Sequence, residues 1–210
     1  MTNFSRQAPS SRYKELIKKY ETIHAKGKGY FNGKSLLKYI SVIQTKLIVH
    51  ECKTLLDYGC GKGLLYTDEC HTVMPSSPKA KPITRPLQEL WNLTRHTCYD
   101  PAYPQHATKP TGNFDAVICT DVLEHVNEED MEWVLNEIFS YANKMVFLNV
   151  ACFKAAKHFD DGENVHISVF NPEWWYILIS DIMKQYPNLT TYLTCEKIGH
   201  ATDYTIRGGE

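Results

Sequence analysis

The fold is decided by the stretch Leu55-Leu56-Asp57-Tyr58-Gly59-Cys60-Gly61-Lys62-Gly63. Residues 53–58 (KTLLDY) are a short apolar run, read as a buried strand. It breaks into a glycine-rich turn that opens a helix. Glycines at 59, 61 and 63 allow positive φ and carry no side chain, so a ligand can approach the backbone. The plain alternative is a tight strand–helix turn with no ligand. The spacing G-x-G-x-G differs from the dinucleotide pattern G-x-G-x-x-G, and no lysine–serine pair of a phosphate loop follows. Asp57 stands just before the turn. A carboxylate there suits a cationic or hydroxyl-bearing ligand better than a pyrophosphate.

Working outward, residues 96–100 (HTCYD), 114–119 (FDAVIC) and 144–150 (KMVFLNV) read as further strands. Residues 127–142 form an amphipathic helix with Asn127 at its cap and acids in the first turn. Pro172 opens another helix over 172–186 in the position where proline is tolerated. Residues 190–197 and 201–207 read as a final hairpin. Two helices come first, 11–25 with Tyr13, Leu16, Ile17, Tyr20 and Ile23 at helical spacing, and 35–50 with Ser35 as cap. Alternating strand and helix predicts an α/β protein, a Rossmann-like three-layer sandwich with a mainly parallel sheet and a C-terminal antiparallel hairpin. We expect an N-terminal helical lid over 1–52 and a compact domain over 53–210. The proline-rich part of 68–95 is expected as an irregular surface excursion.

The 210 residues have 43% hydrophobic content and a formal net charge of −1, the profile of one globular domain with a real core. There is no generally basic surface of the kind that binds long nucleic acid, which makes that partner unlikely by expectation. No apolar run has membrane-spanning length, and the first residues do not form a signal peptide. Seven cysteines without a C-x-x-C pattern suit reduced thiols in the cytoplasm.

Three segments in order, LLDYGCGKG (55–63), CYDPA (98–102) and FDAVICTDVLEHV (114–126), resemble the class I S-adenosylmethionine-dependent methyltransferases. Pro172-Glu173-Trp174-Trp175 is similar to a further stretch of that family. The set DYGCGKG, YDPA, DVLEHV, GENVH and WW is also similar to a small subgroup associated with phages and bacteria. The resemblance implies that S-adenosylmethionine is the cofactor. Asp57 would orient its methionine part, with Gly59, Cys60, Gly61 and Gly63 against it and Asp121 and Val122 beside it. Asp100 would hold the ribose hydroxyls. Asp100 stands 43 residues after Asp57, where about 20 is usual. Either residues 68–95 are an insertion before the second strand and a later strand is missing, or Asp100 is an adenine-side acid. In the first case the adenine pocket would draw on Thr111, Asn113 and Asp121.

Methyl transfer is an in-line displacement, for which a protein supplies alignment and, for a hydroxyl acceptor, a base or a metal. Glu124, His125 and His166 are the catalytic candidates by their place in the resemblance. Asp121, Glu124, His125 and His166 could also hold a divalent metal, a cofactor we do not favour. Two groups of O-methyltransferases, acting on small-RNA termini and in the ubiquinone pathway, have a similar E-x-x-E-H pattern with a later histidine. Tyr13, His24 and Tyr30 from the lid, with Phe31, and Trp174 and Trp175 are candidates for contact with the acceptor. Lys79, Lys81 and Arg85 form a small basic stretch. The expected function is methyl transfer to a hydroxyl or amine of a small molecule, sugar or nucleotide. The alternatives are a metal-dependent RNA-terminal 2′-O-methyltransferase and a non-catalytic, cofactor-binding regulatory protein.

Overall fold

The apolar runs become six strands of one sheet: β1 (Thr54–Tyr58), β2 (Arg95–Tyr99), β3 (Phe114–Thr120), β4 (Ala142–Ala151), β5 (Thr190–Lys197) and β6 (His200–Arg207). In the computed structural model, which describes residues 4–27, 29–75 and 81–209, they lie in the order β2-β1-β3-β4-β5-β6. The first five are parallel, and β6 closes the edge as an antiparallel hairpin with β5. The central strands are buried on both faces, which is why β3 and β4 read as continuous apolar runs rather than alternating ones.

Helices cover both faces. On one, α4 (Glu128–Ser140) and α5 (Pro172–Met183) pack on Leu56, Val117, Val146 and Leu148. On the other, α2 (Ile40–Val49) packs on Leu55, Ala116, Ile118 and Phe147. α1 (Ser11–Ala25) crosses above the carboxyl ends of the strands. Ser10 caps α1 by accepting from the Tyr13 N–H at 3.0 Å. The buried Asp130 of α4 accepts from the Ser10 N–H, the Trp133 indole and the Asn127 amide, so the start of α1 is docked on the start of α4. No helix among the described residues is long and apolar enough to cross a membrane.

The structure revises several local expectations. The region 1–52 is not one lid, because α2 belongs to the sheet's outer layer and only α1 and the loop after it border the cavity described below. The second helix is preceded by a 3₁₀ turn over Lys34–Lys38 whose cap is Gly33 at φ 82°. Ser35 caps nothing and instead donates its hydroxyl to Asp121 at 2.8 Å. Asn127 stands at the cap position of α4 without a side-chain capping bond. Nor is 68–95 a surface excursion throughout. Its 3₁₀ turn Asp68–Thr72 and the short α3 (Leu87–Leu90) bury Cys70, Val73, Ile83, Leu87 and Trp91 against α2 and the sheet. It serves as the helical layer between β1 and β2. Lys79 lies outside the described residues, and Lys81 and Arg85 are exposed.

Trp174 and Trp175 also fall elsewhere than expected. Trp175 is fully buried between α5 and the sheet, and Trp174 stacks on Phe170 with ring centroids 3.8 Å apart. Neither reaches the cavity. The pair therefore belongs to packing. We predict that Trp175→Ala lowers unfolding stability by about 3–5 kcal/mol. Trp174→Ala, at a partly exposed stack, costs less than half of that. Urea unfolding of both variants checks the difference, and equal losses would contradict the placement.

Candidate functional site

The sheet order reverses at β1 and β3, and ligands bind in the crevice that such a reversal leaves at the carboxyl ends of the strands. A cavity of about 490 Å³ lies there, within the usual range for a small-ligand site. Its floor is Asp57 to Gly61 after β1, with Asp100 after β2 and Asp121 and Val122 after β3. Its roof is one face of α1, on which Tyr13, Leu16, Ile17, Tyr20 and His24 follow at helical spacing. Phe31, Ser35, Lys34 and Lys157 reach it from the flanking loops, and His125 and His166 close one side.

Asp57 is the most unusual group on the floor. It is 4% exposed, and among the described residues no lysine, arginine or histidine pairs with it. Burial, with the neighbouring charge of Asp100, pushes its carboxyl up to about 7, and the Tyr66 hydroxyl beside it pulls the other way. Asp100 follows β2 directly, and only a 3₁₀ turn (Pro104–His106) separates it from β3 as regular structure. This settles the spacing question: the insertion precedes the second strand and a later strand is missing. The Asp100 carboxylate accepts from the Gly61 N–H and the Ala102 N–H, each at 2.9 Å. Thr111 and Asn113 precede β3, at the opposite end of the sheet from the cavity, and form no part of it.

The glycines have a second reason to be glycines. All three have positive φ, at 80°, 59° and 60°. A side chain on Gly59 would collide with Val122, and one on Gly61 with the carbonyl of Phe31. The loop is thus threaded between the chain's own elements as well as open to a ligand. Gly63 does not line the cavity; it faces Cys98 and His106. Tyr30 is also outside, its ring under the Lys157 ammonium at 4.8 Å, and Phe31 takes the place expected of it.

Asp121 holds φ 59°, the left-handed region that aspartate tolerates better than most residues. Beside it stand two imidazoles. His125 Nδ1 is 2.7 Å from the Val165 carbonyl, and His166 Nδ1 is 2.7 Å from the Phe153 carbonyl. A carbonyl only accepts, so both Nδ1 atoms carry a proton, and in a neutral ring Nε2 is then the atom with the lone pair. Ligating atoms of Asp121, His125 and His166 lie within 4.8 Å of one another. Burial pushes His125 down to about 4, against the opposite pull of Asp121, so its ring is neutral at pH 7.

Glu124, expected among the catalytic and metal-binding groups, is fully buried outside the cavity. Its Oε1 accepts from the Ala151 N–H at 2.7 Å, and its backbone carbonyl accepts from the Ile167 and Ser168 N–H groups. It joins the end of β4 and the 157–171 loop to the turn that carries His125. Burial and the charge of Asp121 raise its carboxyl well above the usual range. Tyr20, read from sequence only as a core position, does parallel work. Its hydroxyl lies 2.8 Å from the Val165 carbonyl and 3.1 Å from that of His125, tying α1 to both histidine-bearing segments. The signal was present in the register: Tyr13, Tyr20 and His24 share one helix face. Nothing in the local pattern marked Lys157 or Ser35.

A family model described as a methyltransferase domain matches residues 10–195. The chain belongs to the class I S-adenosylmethionine-dependent methyltransferases. Neither a curated protein nor a solved structure matches it. The cavity of this methyltransferase fits the cofactor its family implies. Among the described residues no cation pairs with the Asp57 carboxylate, and the buried His24 Nδ1 lacks a hydrogen-bond partner. S-adenosylmethionine offers a sulfonium, an ammonium and ribose hydroxyls to such groups.

The position of Glu124 yields a test. Glu124→Gln keeps an acceptor for the Ala151 N–H and is expected to stay within about 1 kcal/mol of the parent with activity retained. Glu124→Ala orphans that N–H and opens a cavity, costing about 2–4 kcal/mol. Denaturation and methyl-transfer assays check both. Loss of activity in a stable Glu124→Gln variant would return the residue to the catalytic set.

Proposed function

We propose that this methyltransferase transfers a methyl group to a hydroxyl or amine of a small molecule, sugar or nucleotide, with His166 as general base and His125 and Asp121 beside it. The observation that carries this reading is the pair of imidazoles at the cavity wall, each with its Nδ1–H on a backbone carbonyl and its Nε2 turned away from that bond. S-adenosylmethionine, when bound, supplies the electrophilic methyl group. In this reading Asp57 holds its cationic part, Gly59, Cys60 and Gly61 lie against it, Val122 packs beside it, and Asp100 accepts from the ribose hydroxyls through lone pairs not used by Gly61 and Ala102. His166 takes the acceptor's proton at Nε2 while its Nδ1–H stays on the Phe153 carbonyl. The Asp121 carboxylate, held low by the adjacent imidazoles and by the Ser35 hydroxyl despite its burial, favours the imidazolium that results.

α1 over the cavity excludes water and brings Tyr13 to the acceptor side, while His24, 3.9 Å from Asp100, stands on the cofactor side. Lys34 and Lys157 at the mouth support an acceptor that carries an anionic group, which favours the nucleotide end of the range. A long nucleic acid remains outside the proposal, because the net charge is −1. Seven free cysteines support a reducing, cytoplasmic setting as part of it.

A second reading rests on one specific observation, the mutual approach of Asp121, His125 and His166. Imidazoles whose outer nitrogen is bound to a carbonyl are typical metal ligands. That set would hold a divalent cation and activate a terminal ribose hydroxyl. It lacks Glu124, which is turned to Ala151.

Labelled-methyl transfer to nucleotide and sugar acceptors tests the first reading. His166→Ala is expected to leave cofactor affinity within a few-fold and to lower turnover by about 10²–10⁴. Chelation leaves turnover unchanged in the first reading and abolishes it in the second. Full turnover by His166→Ala would contradict both.

A further inference from the structure

Behind the glycine loop, apart from the two histidines already described, two thiols and an imidazole converge. Cys60 lies in the loop, Cys98 is the penultimate residue of β2, and His106 ends the 3₁₀ turn that follows. One ligating atom from each lies within 4.8 Å of the other two. The space is kept open by Gly63, where a Cβ would stand 3.0 Å from His106 Nε2 and 3.2 Å from Cys98 Sγ. The three residues are not brought together by a flexible surface. The Cys60 N–H donates to the Tyr99 carbonyl at 3.1 Å, the Asp100 N–H to the His106 carbonyl at 3.0 Å, and the His106 N–H to the Tyr103 carbonyl at 2.8 Å.

We propose that Cys60, Cys98 and His106 form a binding site for a thiophilic divalent metal of the zinc class, which ties the glycine loop to the end of β2. Two thiolates and one imidazole are a soft donor set that prefers zinc over magnesium or calcium, with a solvent molecule as fourth ligand. Zinc–sulfur bonds of about 2.3 Å in a tetrahedron put donor atoms roughly 3.7 Å apart, so a small closure completes the site. On binding, each thiol releases one proton to solvent and His106 gives a lone pair; nothing is oxidised. The consequence is mechanical. Gly59 and Cys60 already donate to Tyr99, and Gly61 to Asp100, so the metal adds a further tether between the same two segments of the cofactor floor.

Cobalt titration of reduced, metal-free protein tests this. One equivalent should develop thiolate-to-cobalt charge-transfer absorption that zinc then displaces. Cys98→Ser and His106→Ala should bind cobalt at least ~10-fold more weakly, with the thiolate absorption reduced in Cys98→Ser. His166→Ala should keep the absorption, because the Asp121–His125–His166 set contains no sulfur; failure of that site and failure of this one are therefore separate results. Zinc should raise the melting temperature of the parent and not of Cys98→Ser, whose fold is checked by circular dichroism. No thiolate absorption in the parent, or unchanged absorption and affinity in Cys98→Ser, would overturn the proposal. A Cys60–Cys98 disulfide found by mass spectrometry after mild oxidation, with no cobalt absorption before it, would replace the metal with a redox pair.

Discussion

A carboxylate is buried at the carboxyl end of β1 with no cation among the described residues to meet it, and the site is organised around that charge. Asp57 lies on the cavity floor, and burial together with Asp100 holds its carboxyl near pH 7. Such a group costs the folded protein stability whenever it ionises. Its folded pKa is raised, so the unfolded chain holds fewer protons than the folded one between about 4 and 7, and stability falls as pH rises through that window. A ligand that brings positive charge to the same spot offsets the cost. The glycine turn that follows cannot absorb side chains, because Val122 and the Phe31 carbonyl already fill the space.

The remaining parts act on placement. Tyr20 pins α1 to the carbonyls of His125 and Val165, and Glu124 pins the end of β4 and two N–H groups of the 157–171 loop to the turn before His125. Together they set two imidazoles, each with its Nδ1–H on a carbonyl, beside Asp121, whose own φ of 59° is held by the Ser35 hydroxyl and the Asn149 carbonyl. A backbone so constrained at a cavity wall is characteristic of functional positions.

Much of this was legible in the chain. The strand runs, the glycine turn, the hairpin and the α1 face follow from periodicities that depend only on nearest neighbours in sequence. Asp57, Asp100, Asp121, His125 and His166 are named from the resemblance to the methyltransferase family, and the fold brings all five to one cavity. What escaped depends on long-range approach. Glu124 and His125 are adjacent, and only the approach of Ala151 decides that one turns inward and the other to the cavity. Ser35 suits a helix cap in local terms, yet Asp121, 86 positions away, takes its hydroxyl. Trp174 and Trp175 carry the same letter and lie in different environments. Residues 74–86, rich in proline, gave no periodic signal, although Ile83 within them and Leu87 and Trp91 just after them are buried.

The most direct measurement is the proton balance of cofactor binding. S-adenosylmethionine is titrated calorimetrically near pH 7 in buffers of different ionisation enthalpy. If its positive charge meets Asp57, binding lowers that carboxyl's pKa, and about half a proton is released at pH 7. The release vanishes in Asp57→Asn, which binds more weakly. A heat independent of buffer in the parent, or the same proton release in Asp57→Asn, would contradict the role given to the buried carboxylate.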